Sequence, residues 1–458
     1  MNKQELLPTL FTTRGKKPNF LIFMVEQQCD PSVYQLDEKR TPMMQEFLLN
    51  GFEFKNHYVG SSVCPSSEIT LYTGQYPSLH GVTQTSGSDR TQCNSATVPM
   101  MADYLRRAGY ETYWKGVASK RVVHEANQST VAPKEKRDEV CAEEVVALLQ
   151  KLDREDMEAS EQWVIFSSFH SDQSCSEMMK VFQTLKKTAF YWNTVILYLS
   201  VEGQQGIRPD ENCRKNRNNV FEKTIHVPLI IHSPAIIDGK KSTSMLTSHV
   251  DILPTMLGLA GIDEEEIQTL LSVDYSEVRP LVGRDLTPLV SGRKRFYRAN
   301  EPIYFMTGDE GRRGLNEAPG VLVESVLQPN HIEAVVVTMR TGDEEQQEVW
   351  KYARYYDDPQ YWRIPGVSDV IVTQSIPDSA GEESLSKWVT KTKTSPTPDE
   401  FELYNVTRDP LEEKNLAHPN FETPESKEIR KILSLVLEEQ RRQKRLTPMR
   451  SDIGNVAI

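Results

Sequence analysis

Four short apolar runs, separated by helical patterns, constrain the fold of this chain more than any other feature. The runs cover residues 20–25, 163–166, 195–199 and 228–231. Each is apolar almost throughout, which is typical of a strand that is buried on both faces of a parallel sheet. Because helical patterns lie between the runs, the sequence predicts an α/β fold with a central, mostly parallel sheet flanked by helices.

Three of the helical patterns have recognisable ends. In the first, Thr97 is a candidate N-cap and Gly109 a candidate stop signal. The second covers residues 142–152. The third begins after Ser248 and must hold Pro254 in its first turns, where proline is tolerated.

The pattern changes near residue 330. Segments 332–337 and 348–355 are typical of strands and are joined by a short turn, which predicts an antiparallel hairpin. The polar stretch 376–398 predicts a mobile surface excursion. Apolar residues spaced along 429–437 predict a helix that packs on the small sheet.

The length of 458 residues is enough for two domains. We predict an α/β domain over residues 1–330. We predict a smaller C-terminal α+β subdomain, with an antiparallel sheet and a terminal helix, over residues 331–458.

Charge and hydropathy exclude some classes of function. The chain has 53 basic and 65 acidic side chains, a net charge of −12, which argues against binding nucleic acid by bulk charge. The longest purely apolar run is far shorter than the roughly 18 residues that cross a bilayer, and the N-terminus lacks a secretory signal pattern. We therefore expect a cytoplasmic protein that binds neither nucleic acid nor membrane.

Residues 61–82, SSVCPSSEITLYTGQYPSLHGV, carry the most specific motif. The segment resembles the signature of the sulfatases in the alkaline phosphatase superfamily, Cys-x-Pro-Ser-Arg followed by Leu-x-Thr-Gly and a proline-containing turn that ends in His-Gly. The matching offsets are those of Cys64, Ser67, Leu71, Thr73, Gly74, Pro77, His80 and Gly81.

Further blocks extend the resemblance over most of the chain. Residues 18–28 are similar to the family's first strand and metal loop, and residues 105–112, 221–231, 249–261 and 401–417 are similar to later family blocks. The resemblance implies an alkaline-phosphatase-like sandwich with a smaller C-terminal domain. Within the family, the chain is nearest in pattern to the choline-sulfatase and phosphonate monoester hydrolase branch.

The resemblance also implies an activity, the hydrolysis of sulfuric or phosphoric esters. Its implied nucleophile is a formylglycine made from Cys64, and its implied cofactor is a divalent cation (Ca, Mg or Mn) held by oxygen ligands. By position, the candidate metal ligands are Glu26, Gln27 and Glu202. Arg217 is the candidate substrate-binding cation, and a small anionic ester is the expected substrate or ligand.

Several positions depart from the family pattern. Glu68 stands where the signature has arginine, Val201 where the second metal block has a ligand, and Val117 where a sulfate-binding lysine is expected. The signature proline is also one place early, at Pro65, which argues against conversion of Cys64 to formylglycine.

The residue types leave alternatives open at each candidate. The three metal-ligand candidates form an altered metal site or a polar cleft without an ion. Glu202 either replaces the charge lost at Val201 or, because side chains alternate along a strand, faces elsewhere. Cys64 is a formylglycine, a thiolate nucleophile or an inert thiol. Arg217 binds an anion or forms a surface salt bridge.

Two functions therefore remain in competition. The first is an ester hydrolase with an altered metal and nucleophile site. The second is a catalytically inactive sulfatase-fold protein, a pseudoenzyme, that binds an anionic ligand or a partner protein. A homo-oligomer is compatible with both. We expect His80 and His249 to be packing residues in either case.

Overall fold

The computed structural model describes these parts of the chain: residues 17–30, 41–62, 65–82, 97–116, 136–154, 162–170, 174–204, 219–292, 300–307, 329, 331–340, 347–357, 370–376, 387–393, 396 and 398–449.

The strands fall into one large sheet, one small sheet and a two-stranded ribbon. Their bounds are β1 (Asn19–Gln27), β2 (Gly51–Tyr58), β3 (Tyr110–Gly116), β4 (Gln162–Phe169), β5 (Thr194–Glu202), β6 (Leu229–His232), β7 (Lys241–Ser248), β8 (Ile303–Thr307), β9 (His331–Arg340), β10 (Gln347–Tyr356), β11 (Val370–Ile376), β12 (Lys387–Lys393) and β13 (Glu400–Asn405).

The helices lie between these strands and after the last one. Their bounds are α1 (Pro42–Phe47), α2 (Ser66–Thr73), α3 (Pro77–His80), α4 (Met101–Arg107), α5 (Arg137–Arg154), α6 (Cys175–Leu185), α7 (Glu222–Ile225), α8 (Ile252–Leu259), α9 (Glu264–Leu271), α10 (Thr287–Val290) and α11 (Pro424–Lys444).

The large sheet has the strand order β3-β4-β1-β5-β6-β2-β7. Strands β3, β4, β1 and β5 run parallel, β2 runs parallel to β7, and β6 runs antiparallel to both of its neighbours. The predicted mostly parallel sheet is therefore confirmed, with β6 as its antiparallel exception. All four apolar runs become strands of this one sheet.

Both faces of the large sheet are covered, which explains why its strands are apolar throughout. In β1, Phe20, Ile22 and Met24 pack with α2, α4 and α8, whereas Leu21, Phe23 and Val25 pack with α1, α5 and α6. We call these two sides of the sheet the α2 face and the α5 face. Side chains alternate between them along every strand.

The small sheet has the order β13-β10-β9-β8 and is antiparallel. The predicted hairpin is confirmed as β9 and β10. Strand β8 also belongs to this sheet, although it lies before the predicted boundary at residues 330 and 331. Helix α11 packs on the sheet through Leu433 and Leu437, as predicted.

Some local predictions need correction. The first predicted helix, α4, begins at Met101 after Met100, so Thr97 is not its N-cap. The polar stretch 376–398 contains a regular element, β12, which pairs with β11. On α11, Ile432 was expected in the buried stripe, but 45% of it is exposed. Within the described ranges, no helix is long and apolar enough to cross a membrane.

Candidate active site at the carboxyl edge of the large sheet

Strands β4, β1 and β5 are adjacent and parallel, so their carboxyl ends meet at one edge of the sheet. Gln27 at the end of β1 is in register with Glu202 at the end of β5. On the other side of β1, Val25 is in register with Phe169, the last residue of β4. In open α/β sheets, ligands bind outside the carboxyl ends of strands, and we therefore build the candidate site here.

Gln27 and Glu202 form one pair at this edge. The Gln27 amide nitrogen Nε2 donates a hydrogen bond of 3.0 Å to Glu202 Oε1. Glu202 is buried, whereas Gln27 is exposed. Glu202 lies four residues after Tyr198 in β5, so its side chain is on the same face of the sheet, the α5 face. The pair of Gln27 and Glu202 therefore belongs to the α5 side of the edge.

Glu26 forms a second pair, with His170. Glu26 Oε2 lies 2.7 Å from His170 Nδ1, and their side chains are 34% and 50% exposed. Glu26 lies two residues after Met24 in β1, so its side chain is on the same face of the sheet, the α2 face. The pair of Glu26 and His170 therefore belongs to the α2 side of the edge. The backbone N–H of His170 donates to Asp138 Oδ1 at the start of α5, which fixes the end of β4.

The three candidate metal ligands are thus divided between two faces. Gln27 and Glu202 are brought together, and Glu26 instead contacts His170. Among the residues that the structure describes, no group of three or more His, Cys, Asp or Glu side chains could hold a metal ion. A hard divalent cation needs six or more oxygen ligands around one point, some of which can be waters. The described donors do not fit that requirement.

Val201 occupies the α2 side of the β5 end. Its side chain is 6% exposed and lies in the same core cluster as Leu199. The Ser67 hydroxyl donates a 2.6 Å hydrogen bond to the Val201 carbonyl oxygen. The first turn of α2 is therefore attached directly to the end of β5, with an apolar side chain at the junction.

Helix α2 carries the signature segment. Its start is tied back to the preceding loop, because the Ser61 and Ser66 hydroxyl oxygens lie 3.0 Å apart. Glu68, which replaces the signature arginine, is buried in the first turn and accepts a 3.0 Å hydrogen bond from the Tyr72 hydroxyl. A carboxylate is favourable at a helix N-terminus, which stabilises Glu68 there.

Cys64, Arg217 and Val117 lie outside the described residues. Their assigned roles therefore stay predictions. Pro65, the residue after Cys64 in the sequence, is the N-cap of α2.

His80 and His249 are buried packing residues, as the sequence predicts. The backbone N–H of Val82 donates to His80 Nδ1, so Nε2 carries the proton toward Thr70 Oγ1 at 3.1 Å. His249 Nε2 donates to the Ser200 carbonyl oxygen at 3.1 Å. Burial lowers the pKa of His80 to about 3 and that of His249 to about 4, so both rings are neutral near pH 7.

Sequence reasoning missed the contact between His170 and Glu26. The signal was available, since His170 follows the end of the second apolar run by only a few residues and parallel strand ends gather at one edge.

A model of the sulfatase family matches residues 18–176 and 176–262. These residues are more than half of the chain, and they include β1, the signature helix α2 and the described edge residues. The chain belongs to the sulfatase family.

Two relatives illustrate the range of the similarity. The ulvan-active sulfatase of Formosa agariphila is 20% identical over 92% of this chain and 80% of its own length. The choline-sulfatase of Rhizobium meliloti is 33% identical over a shorter region, 29% of this chain and 22% of its own.

Solved structures agree on the fold. A protein from glycosaminoglycan metabolism in Bacteroides thetaiotaomicron aligns over 93% of this chain and 96% of its own, with 14% identity and a TM-score of 0.61. The phosphonate monoester hydrolase of Agrobacterium radiobacter aligns over 94% of this chain and 96% of its own, with 14% identity and a TM-score of 0.58. The predicted alkaline-phosphatase-like sandwich with a small antiparallel sheet is confirmed.

Proposed function

We propose that this chain hydrolyses a small anionic ester, a sulfate ester in the first place, at the carboxyl edge of its large sheet. The proposed site is altered from the family pattern, and proton transfer by His170 is its central feature. Family membership supports the reaction class. The single observation that carries the proposal is the pair of Glu26 and His170, on the same face of the sheet as the signature helix.

The chemistry of this pair suits general acid–base catalysis. A carboxylate that accepts a hydrogen bond from Nδ1–H leaves the lone pair of Nε2 available. Half of the His170 side chain is exposed, so a substrate can reach it. In this proposal His170 takes the proton of the attacking group as that group bonds to the sulfur, and returns the proton to the ester oxygen as the S–O bond breaks and the alcohol leaves. A water then displaces the sulfate from the attacking group, which regenerates the enzyme. Glu26 holds the ring in this orientation through the 2.7 Å contact at Nδ1.

The other candidates keep the roles that the resemblance implies. Cys64 is the candidate nucleophile, and Arg217 is the candidate cation for the substrate anion. Gln27 and Glu202 add a second polar pair at the carboxyl edge of the sheet. A cation held by Glu26, Gln27 and Glu202 would require these side chains to turn toward a common point, and metal analysis of the purified protein tests this.

The second candidate function is non-catalytic binding of an anionic ligand or a partner protein. Two observations favour it. Gln27 and Glu202 bond to each other, and Val201 places an apolar side chain where the family pattern has a ligand. A site of this kind binds without turning over.

The test compares turnover with binding in the purified full chain. We would measure hydrolysis of 4-nitrophenyl sulfate and 4-nitrophenyl phosphate, and binding of inorganic sulfate by calorimetry. Peptide mass spectrometry across Cys64 and elemental analysis would report the nucleophile and any metal.

The decisive variant is His170→Gln. We expect it to lower kcat/KM by roughly 100-fold or more, the usual contribution of a general acid–base group. His418→Gln, which changes an exposed histidine of the C-terminal part, is the matched control and should leave kcat/KM unchanged. Equal turnover by His170→Gln and the wild type contradicts the proposed mechanism. Sulfate binding without turnover would establish the second candidate function instead.

A further inference from the structure

A buried ionic network lies between the small sheet and the large sheet. Lys351 of β10 is at its centre, with Nζ 2.8 Å from Glu222 Oε1 and 2.6 Å from Glu412 Oε1. The backbone N–H of Glu222 also donates a 2.7 Å hydrogen bond to Glu412 Oε2. All three side chains are almost completely buried. Lys351 and Glu412 come from the C-terminal part of the chain, and Glu222 begins α7 of the large domain.

His226, directly after α7, completes the network as a second cation. Its Nε2 lies 2.8 Å from the Lys55 carbonyl oxygen, and its Nδ1 lies 3.0 Å from Glu222 Oε2. Both neighbours are hydrogen-bond acceptors, so both ring nitrogens carry protons. Burial opposes this charge, but the Glu222 carboxylate raises the pKa of His226 above its ordinary value.

The backbone at Glu412 supports a specific role for its carboxylate. Its φ is 57°, and among the described non-glycine residues it alone has a positive φ. This left-handed conformation is strained for a residue with a Cβ atom, and such strain persists only where the surroundings enforce it. Here the surroundings are Lys351 and the N–H of Glu222.

The network is connected to the candidate active site through backbone hydrogen bonds. The N–H of Gly203, which follows Glu202, donates to the Thr224 carbonyl oxygen at 3.0 Å, and the N–H of Asp30 donates to the His226 carbonyl oxygen at 3.0 Å. The contact at Gly203 is close, because a Cβ there would lie 2.3 Å from the Lys223 carbonyl oxygen. The segments that follow β1 and β5 are therefore both held by α7 and His226.

We propose that Lys351 and Glu412 are positioning residues for the carboxyl edge of the large sheet. Through Glu222 and His226 they fix α7, and α7 fixes the segments after Gln27 and Glu202. The C-terminal sheet thus sets the geometry of a site to which it contributes no reacting group. The inference rests on the proposed function for the use of that edge, but its test measures backbone order and needs no turnover.

The experiment measures amide hydrogen exchange at Gly203 and Asp30 in the full chain. In Lys351→Met, we expect exchange at both amides to rise by about tenfold or more, because their carbonyl partners are no longer held. Lys444→Met is the matched control, since Lys444 forms its own buried ion pair with Glu301 at 2.9 Å. That control should leave both amides as in the wild type.

Lys351→Met leaves two buried carboxylates with one cation and can fail to fold. The double variant Lys351→Met/Glu412→Gln removes one charge of each sign and keeps the buried charge balanced. It also lacks the ionic link, and we expect the same rise in exchange. Wild-type exchange at Gly203 and Asp30 in this folded double variant would overturn the proposal, whether or not the wild type hydrolyses any ester.

Discussion

The carboxyl edge of the large sheet and the ionic network beneath the small sheet both gather charged side chains, but in different ways. At the edge, Glu26 and His170 form a pair whose side chains are partly exposed. In the network, Lys351 contacts two carboxylates and all of the groups are buried. Water can replace a lost partner at the edge, whereas a buried charge without a partner is costly. The edge can therefore change in sequence while the network must stay complete.

The largest expected effect is on the stability of the network. Lys351→Met leaves Glu222 and Glu412 buried, with His226 as the remaining cation among the described residues of the network, and we expect a loss of about 3–5 kcal/mol in the free energy of unfolding. The exposed pair of Lys180 and Glu177 is the matched control. Lys180→Met should leave stability close to that of the wild type, because the pair is exposed to water. Urea denaturation at pH 7 measures both, and equal losses would remove the distinction between buried and exposed pairs.

The buried histidines extend the comparison to pH. His80 and His249 have pKa values lowered to about 3 and about 4 by burial. A lowered histidine pKa means that the unfolded chain binds protons first as pH falls below about 6.5. The stabilisation that each neutral ring contributes is therefore complete above about pH 6.5 and is lost as the pH falls toward 4. At pH 5, His80 alone accounts for about 2 kcal/mol of this loss.

For His226, the dependence of stability on pH has the opposite sign. Although burial opposes its charge, Glu222 raises its pKa, so its stabilisation is full below about pH 6.5 and is lost as pH rises through the raised value. Urea midpoints from pH 5 to pH 9 would show both limbs. His80→Gln should flatten the acid limb only. An acid limb as steep in His80→Gln as in the wild type would contradict the assignment of this loss to His80.

The same comparison explains how much the sequence could predict. The four apolar runs identified the large sheet because burial on both faces allows few polar residues, and the turn signal after residue 340 identified the hairpin of β9 and β10. The signature segment identified the family. These features are local, and each can be recognised in a short stretch of chain.

The site geometry could not be predicted in the same way. The division of Glu26 from Gln27 and Glu202 depends on which face each residue takes, and the sequence left two orientations open for Glu202. The pairing of Glu26 with His170 depends on strand order, which separates these residues by 144 positions in the chain. The network likewise joins Glu222 of helix α7 to Lys351 of the small sheet, 129 positions away in the chain. Contacts at such distances require the topology.

The smallest expected effect is that of the side chain at position 201 on metal binding at the edge. Val201 lies on the α2 face beside the end of β1, where Glu26 is also found, and an aspartate there would place two carboxylates on one side of the sheet. We expect Val201→Asp to bind Ca²⁺ about tenfold more tightly than the wild type, a difference of about 1.4 kcal/mol. Val201→Asn, with the same shape and no charge, is the control. Calorimetric titration with CaCl₂ measures all three proteins. If Val201→Asp binds Ca²⁺ no better than Val201→Asn, the missing acid at position 201 does not explain why the described edge residues do not fit a metal ion. The orientation of Glu26 toward His170 is then the stronger explanation.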